Sequence, residues 1–346
     1  MLNHYCGLYM AEPKKFKILC IDGGGIKGLY SAQLLAKFEE VFRTNLSDHF
    51  DLICGTSTGG IIALGASLKI PMSKVVGFYE QKGSQIFTQW IKWGGIGKCL
   101  LSIWQALFFN KYASGPLRKA LEEVFGARTL GESHNLLCIP AYNITTGNPR
   151  IFKKDYDTLD QDDQKSYVDV ALATSAAPTY FPVKEINNMC YVDGGLFANN
   201  PILVGLTEYF CKWAHTGIFD GVEILSISSC EKNNGESPKF KHRSFLRWKD
   251  TLFDSYSNGQ SKCVDFFLQQ LKKSGMLNCT LDIVRVVNSP LSGEQEKLVQ
   301  LDNASRKSMK LLKAIALHTA VNYKEKAEVR KFFEESKTIN PNEYGK

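Results

Sequence analysis

A chain of 346 residues with 44% hydrophobic and 22% charged residues has the balance of a core-forming globular protein, which excludes the disordered and fibrous classes. Its net charge of +7 is scattered rather than gathered into one block, which favours an anionic partner such as a phospholipid surface or a nucleotide; no nucleic-acid polymer is expected. Ten cysteines spread from Cys6 to Cys279 without a CxxC pair speak against a disulfide framework or a structural metal site, and point to a reducing, cytoplasmic compartment.

The opening stretch, "MLNHYCGLYMAEPKKFKILC", lacks the basic start, sustained apolar run and small-residue cleavage site of a secretion signal, and residues 1–14 read as an extension. No uninterrupted apolar run approaches the roughly 18 to 20 residues that span a bilayer, so any membrane is met from its surface. Five segments then read as buried strands: "FKILCID", "FDLICGT", "NLLCIPAYNI", "VEILSISS" and "LDIVRVV". Their hydrophobicity is continuous rather than alternating, the pattern of strands covered on both faces in a parallel sheet. Helical stretches fall between them at 29–42, 61–69, 116–125 and 168–173, the third opened near Pro116 and closed by Gly126. The alternation predicts a three-layer α/β/α fold with a mainly parallel central sheet. The C-terminal third reads mostly helical, ending in a charged tail over 321–346.

Three glycine-marked loops carry the chemistry. The first, Gly23-Gly24-Gly25-Ile26-Lys27-Gly28, joins a strand to a helix, where backbone N–H groups can turn toward negative charge. Its GxGxxG spacing also fits dinucleotide binding, which requires an acid ending the next strand about 20 residues on. The next strand ends in a serine loop instead and carries Asp51 at its start. The second loop, Gly55-Thr56-Ser57-Thr58-Gly59, is a GxSxG match between strand and helix, the context of a nucleophile elbow in which a strained serine needs small neighbours. A serine capping the helix is the plainer alternative.

The third loop, Asp193-Gly194-Gly195 followed by Asn199-Asn200-Pro201, reads as a turn that could also present a carboxylate to take the serine proton. Histidine is the usual base, and only His215, His242 and His318 follow in the order serine, acid, histidine. None has a flanking glycine or turn signature, so the residues favour a two-member Ser-Asp site.

Taken together and in this order, DGGGIKG, GTSTG and DGGLFANNP resemble the patatin-like phospholipase family, as do "ATSAAPTYFPV" and "LDNASRKSMKLL" further along. The resemblance implies a domain over 15–320 that hydrolyses fatty acyl esters of phospholipids or other lipids without a cofactor or metal. By position, Ser57 would be the nucleophile, Asp193 the proton acceptor, and the amides of Gly24 and Gly25 the oxyanion donors. Gly23, Lys27, Gly28, Gly55, Gly59, Gly194 and Gly195 would support these motifs, with Lys27 standing where many members carry arginine. A lipid-binding pseudoenzyme, or an esterase or thioesterase acting on other acyl groups, are the alternatives.

Compact bacterial members of this length resemble antiphage effectors switched on by cyclic dinucleotides, which implies such an activator, a homo-oligomer and action at the inner face of the membrane. Between Ile86 and Tyr112, Trp90, Trp93, Trp104, Phe108 and Phe109 alternate with Lys92, Lys98 and Lys111, suiting either a membrane-facing flap or a pair of core helices. The basic run Lys239, Lys241, His242, Arg243, Arg247 and Lys249, with Phe245 and Trp248, suits either phosphates and a stacked base or a solvated face.

Overall fold

The computed structural model describes residues 14–88, 110–232, 252–275 and 279–343. The five expected strands all form: β1 (Lys15–Ile21), β2 (Leu52–Gly55), β3 (Leu136–Asn143), β7 (Gly221–Ile227) and β8 (Thr280–Val286). Three more arise where none was foreseen: β4 (Asn148–Lys153), β5 (Lys184–Ile186) and β6 (Met189–Asp193). The sheet runs β5-β6-β3-β2-β1-β7-β8, with β4 on the other edge of β3. Pairs β3–β2, β2–β1, β1–β7 and β7–β8 are parallel, while β4, β5 and β6 are antiparallel additions. Parallel strands covered by helices on both faces are continuous apolar runs, whereas short antiparallel additions at an edge keep a mixed pattern that hides them in a sequence.

The longer helices are α1 (Gly28–Phe42), α2 (Thr58–Ser67), α3 (Met72–Ile86), α4 (Ser114–Phe125), α5 (Tyr167–Thr174), α6 (Ile202–Lys212), α7 (Leu252–Ser274) and α8 (Arg306–Lys324). Alternation along β1 separates two cores. Leu19 and Ile21 point into the layer made with α1 to α5 and α8, and Phe16, Ile18 and Cys20 into the layer under α6 and α7. Every residue of α2 is buried, which suits a helix that is apolar all round rather than amphipathic. Cys20, Cys54 and Cys138 stand side by side across β1, β2 and β3 as buried free thiols packed as small hydrophobes.

Helix α8 continues to Lys324, and the chain beyond it folds back on the domain. Phe333 stacks on Phe42 with ring centres 4.3 Å apart, and Val329, Phe332 and Ile339 are fully buried. Among the described residues, no helix is long and apolar enough to cross a membrane. Most of the aromatic-lysine stretch after Ile86 lies outside the described residues, as does the whole basic run 239–249. At the described end of the first stretch, Tyr112 is buried and donates to Asp302 at 2.8 Å, and Lys111 pairs with the same carboxylate at 2.6 Å.

Candidate active site

The site lies where β1 and β2 end and β6 joins the sheet. Ser57 occupies the step from β2 into α2 with φ 55° and ψ −126°. A residue with a side chain at such angles stores about 1–3 kcal/mol of strain, so the surroundings must hold it there. They do so through three main-chain anchors: Ser57 N–H donates to Thr174 Oγ1 at 3.0 Å, Ile61 N–H to Ser57 O at 3.2 Å, and Thr56 N–H to Ile21 O at 3.2 Å. The glycines on either side are required by space. A Cβ on Gly59 would lie 2.3 Å from Ile21 O, and one on Gly55 would lie 2.2 Å from Gly59 O. This is the geometry the GxSxG spacing anticipates.

Asp193 is the last residue of β6, in register with Ala141 of β3. The first half of β3 pairs with β2 and the second half with β6, so β6 takes over the same edge just where β2 gives way to Ser57. That topology closes a separation of 136 residues: Ser57 Oγ donates to Asp193 Oδ2 at 2.7 Å. The other carboxylate oxygen accepts from Gly195 N–H at 2.7 Å. Asp193 is fully buried and, among the described residues, no cation pairs with it. Burial therefore pushes its carboxyl up to about 7, against the lowering effect of the Ser57 and Gly195 hydrogen bonds.

The first glycine loop borders the same space. Gly23 N–H donates to Asn199 O at 3.0 Å, which ties this loop to the one following Asp193. Gly25 has φ +57°, and a Cβ there would meet Leu301 O at 2.1 Å. The amides of Gly24 and Gly25 are not equivalent. Gly24 N–H donates to Thr58 Oγ1 at 3.2 Å, while Gly25 N–H has no partner among the described residues. Lys27 is buried 3.8 Å from Asp254 of α7, Gly28 packs on the Tyr79 hydroxyl, and Gly194 lies against Pro140 O. Ser57, Gly24 and Gly25 open onto one narrow, apolar pocket whose walls include Ile61, Phe78, Phe87, Phe181 and Phe253.

No described histidine contacts Ser57. The His49 ring bonds Thr44 Oγ1 at 2.6 Å and Glu335 O at 2.8 Å, and His318 lies beside Asn322 on α8. His242 lies outside the described residues. Several supporting groups escape a reading of the sequence. Thr174 holds the Ser57 amide and itself donates to Pro140 O, yet its segment stands out in the sequence only as a family signature. Helix α7 packs over the loop after Asp193 through Ser261 on Asn199 and Gln260 on Asn200, contacts without any local signal. The β5–β6 hairpin did carry one: Asn187 and Asn188 both take positive φ, the asparagine pair that a two-residue turn favours.

Comparisons with known proteins bear on the chemistry. Residues 19–206 match the family described as patatin-like phospholipase. The chain is 35% identical to a cGAMP-activated phospholipase of Pseudomonas aeruginosa over 74% of this chain and 75% of that one. It is 30% identical to a cGAMP-activated phospholipase of Escherichia coli over 93% of this chain and 94% of that one. A third such protein, from Vibrio cholerae, is 30% identical over 87% of this chain and 89% of its own length. The chain belongs to the patatin-like phospholipase family and is a lipid acyl hydrolase.

Proposed function

We propose that Ser57 and Asp193 form a catalytic dyad that cleaves fatty acyl esters of membrane phospholipids. The observation that carries this reading is the 2.7 Å hydrogen bond from a strained serine to a buried carboxylate that lacks a cationic partner among the described residues. A carboxyl pushed up to about 7 is a competent base near neutral pH. Asp193 takes the Ser57 proton as Oγ attacks the ester carbonyl, and the negative charge develops toward the free Gly25 amide. Gly24 serves as a second donor once its N–H turns from Thr58 Oγ1. Collapse of the intermediate returns the proton from Asp193 to the departing lysophospholipid oxygen and leaves acyl-Ser57. Water, losing its proton to Asp193, then attacks the acyl carbonyl, and the returning proton regenerates the Ser57 hydroxyl as the fatty acid leaves.

The relatives named as cGAMP-activated phospholipases support a cyclic dinucleotide as activator of this chain. A role in antiviral defence and peripheral action at the inner face of the membrane extend this reading. A homo-oligomeric active state belongs to the same reading. The experiment is hydrolysis of mixed-phospholipid vesicles by the purified chain with and without a panel of cyclic dinucleotides, products being identified by mass spectrometry. Released fatty acid and lysophospholipid, absent for Ser57→Ala, are expected; product from Ser57→Ala would remove the dyad. Equal release with and without every dinucleotide would remove the activator and leave the dyad standing.

A further inference from the structure

Behind the oxyanion loop, and outside the pocket, lies a charged cluster that the chemistry above does not use. Arg285 of β8 is in register with Ser226 of β7, which is in register with Cys20 of β1. Its guanidinium reaches across β7 to Asp22, the residue between β1 and Gly23. Nη1 lies 3.2 Å from Asp22 Oδ1 and Nη2 lies 2.7 Å from Asp22 Oδ2, a two-pronged contact. Nη1 also donates to Ser226 Oγ at 2.8 Å and Nη2 to Glu231 at 3.0 Å, and Nε stands 3.2 Å from Asp265 of α7. Asp265 in turn accepts from Asn200 Nδ2 at 3.2 Å. One guanidinium thus touches the base of the glycine loop on one side and, through Asp265, the loop after Asp193 on the other. Gly23 N–H and Asn199 O close the circuit at 3.0 Å.

Stability alone is a poor reason for this arrangement. Removing a guanidinium and several carboxylates from water is costly, and an apolar filling of equal volume commonly does as well. A forked donor facing a carboxylate supplies direction: it fixes the plane and position of its partner in a way that a point charge or a hydrocarbon cannot. Burial pushes the Asp22 carboxyl up to about 6 against the pull of Arg285, which leaves the pair charged at neutral pH. We propose that Arg285 is a positioning residue that, through Asp22 and Asp265, sets the oxyanion loop at its working distance from Ser57 and Asp193. The inference rests on the dyad reading above.

The test compares Arg285→Met, Arg285→Lys and Asp22→Asn on a soluble short-chain ester, with rates divided by the Ser57 sites that a fluorophosphonate titrates. Arg285→Met and Asp22→Asn should lower kcat by about 10- to 100-fold with KM held within about 2-fold, the signature of a displaced transition-state contact. Affinity for a trifluoromethyl ketone, which mimics the tetrahedral intermediate, should fall in parallel. Arg285→Lys should recover part of both. Unchanged kcat per titrated site, or a lowered melting temperature with unchanged ketone affinity, would overturn the proposal in favour of a purely structural cluster. If Arg285→Met fails to fold, Asp22→Asn decides, because it keeps the volume and removes only the charge. Ser57→Ala runs alongside, since activity surviving there would bring down the dyad and not the positioning role.

Discussion

Two carboxylates at opposite ends of β2 show what burial by itself does and does not imply. Asp51, just before the strand, and Asp193, beside the far end, are both fully buried, and burial raises both above the ordinary carboxylate range. Their partners differ. Asp51 accepts from three main-chain amides, those of Lys17 at 2.9 Å and of Thr338 and Ile339 at 2.7 Å each. It staples the C-terminal segment to the N-terminal ends of the interior strands β1 and β2, and its lone pairs are spent on main-chain amides, which have no proton to give up. Asp193 accepts from one amide and one hydroxyl, and the hydroxyl belongs to the strained residue that opens onto the pocket. On the proposed dyad, a buried acid serves chemistry when one of its partners can give up a proton to it, and architecture when none can.

The sharpest way to break this comparison is to remove the hydroxyl. Ser57→Ala should lower ester hydrolysis by about 10⁴-fold or more while the far-ultraviolet circular dichroism stays unchanged. Asp193→Asn should follow, with a loss of about 10³- to 10⁴-fold, and should also flatten the pH profile. In the unaltered enzyme kcat/KM should rise with pH through about 7 as Asp193 ionises. The sign on stability is opposite. A carboxyl whose folded value is raised stabilises the fold fully below its unfolded value near 4, and that contribution is lost as pH rises through about 7. Thermal melts of Asp193→Asn should therefore gain on the unaltered protein between pH 4 and pH 8; a constant difference would contradict the raised value.

Third in size, Gly25→Ala should cost about 10²- to 10³-fold in kcat, as for the loss of one oxyanion donor, because the new Cβ strains a positive φ and meets Leu301 O. Asp51→Ala sharpens the contrast from the other side. It should destabilise the fold by about 3–5 kcal/mol in urea denaturation, by orphaning three amides, yet leave kcat per folded molecule within about 2-fold. The smallest effect belongs to Thr58→Val, which frees the Gly24 amide while keeping the shape; a change of only about 2- to 5-fold in kcat is expected.

How much of this was legible beforehand follows the same division. The parallel strands declared themselves because both of their faces are covered, and the elbow because two glycines flank a serine between strand and helix. Strands β4, β5 and β6 did not, since they are short and only partly buried and so lack a continuous apolar run, although β4 pairs with β3 and β5 with β6 across short turns. The inequality of Gly24 and Gly25 was equally hidden: it depends on Thr58 turning its hydroxyl toward one amide and not the other.

The fold class, the position of the turn that strains Ser57 and the acid followed by two glycines are all written in the chain, because each is a local preference of backbone and side chain. That Asp193 meets Ser57, that Asp51 does not, and that Arg285 lies behind the glycine loop emerge only once the sheet is assembled. Those outcomes depend on which strand takes over the edge of β3 and on what solvent is excluded there, and burial and register are properties of the assembled sheet rather than of any segment within it.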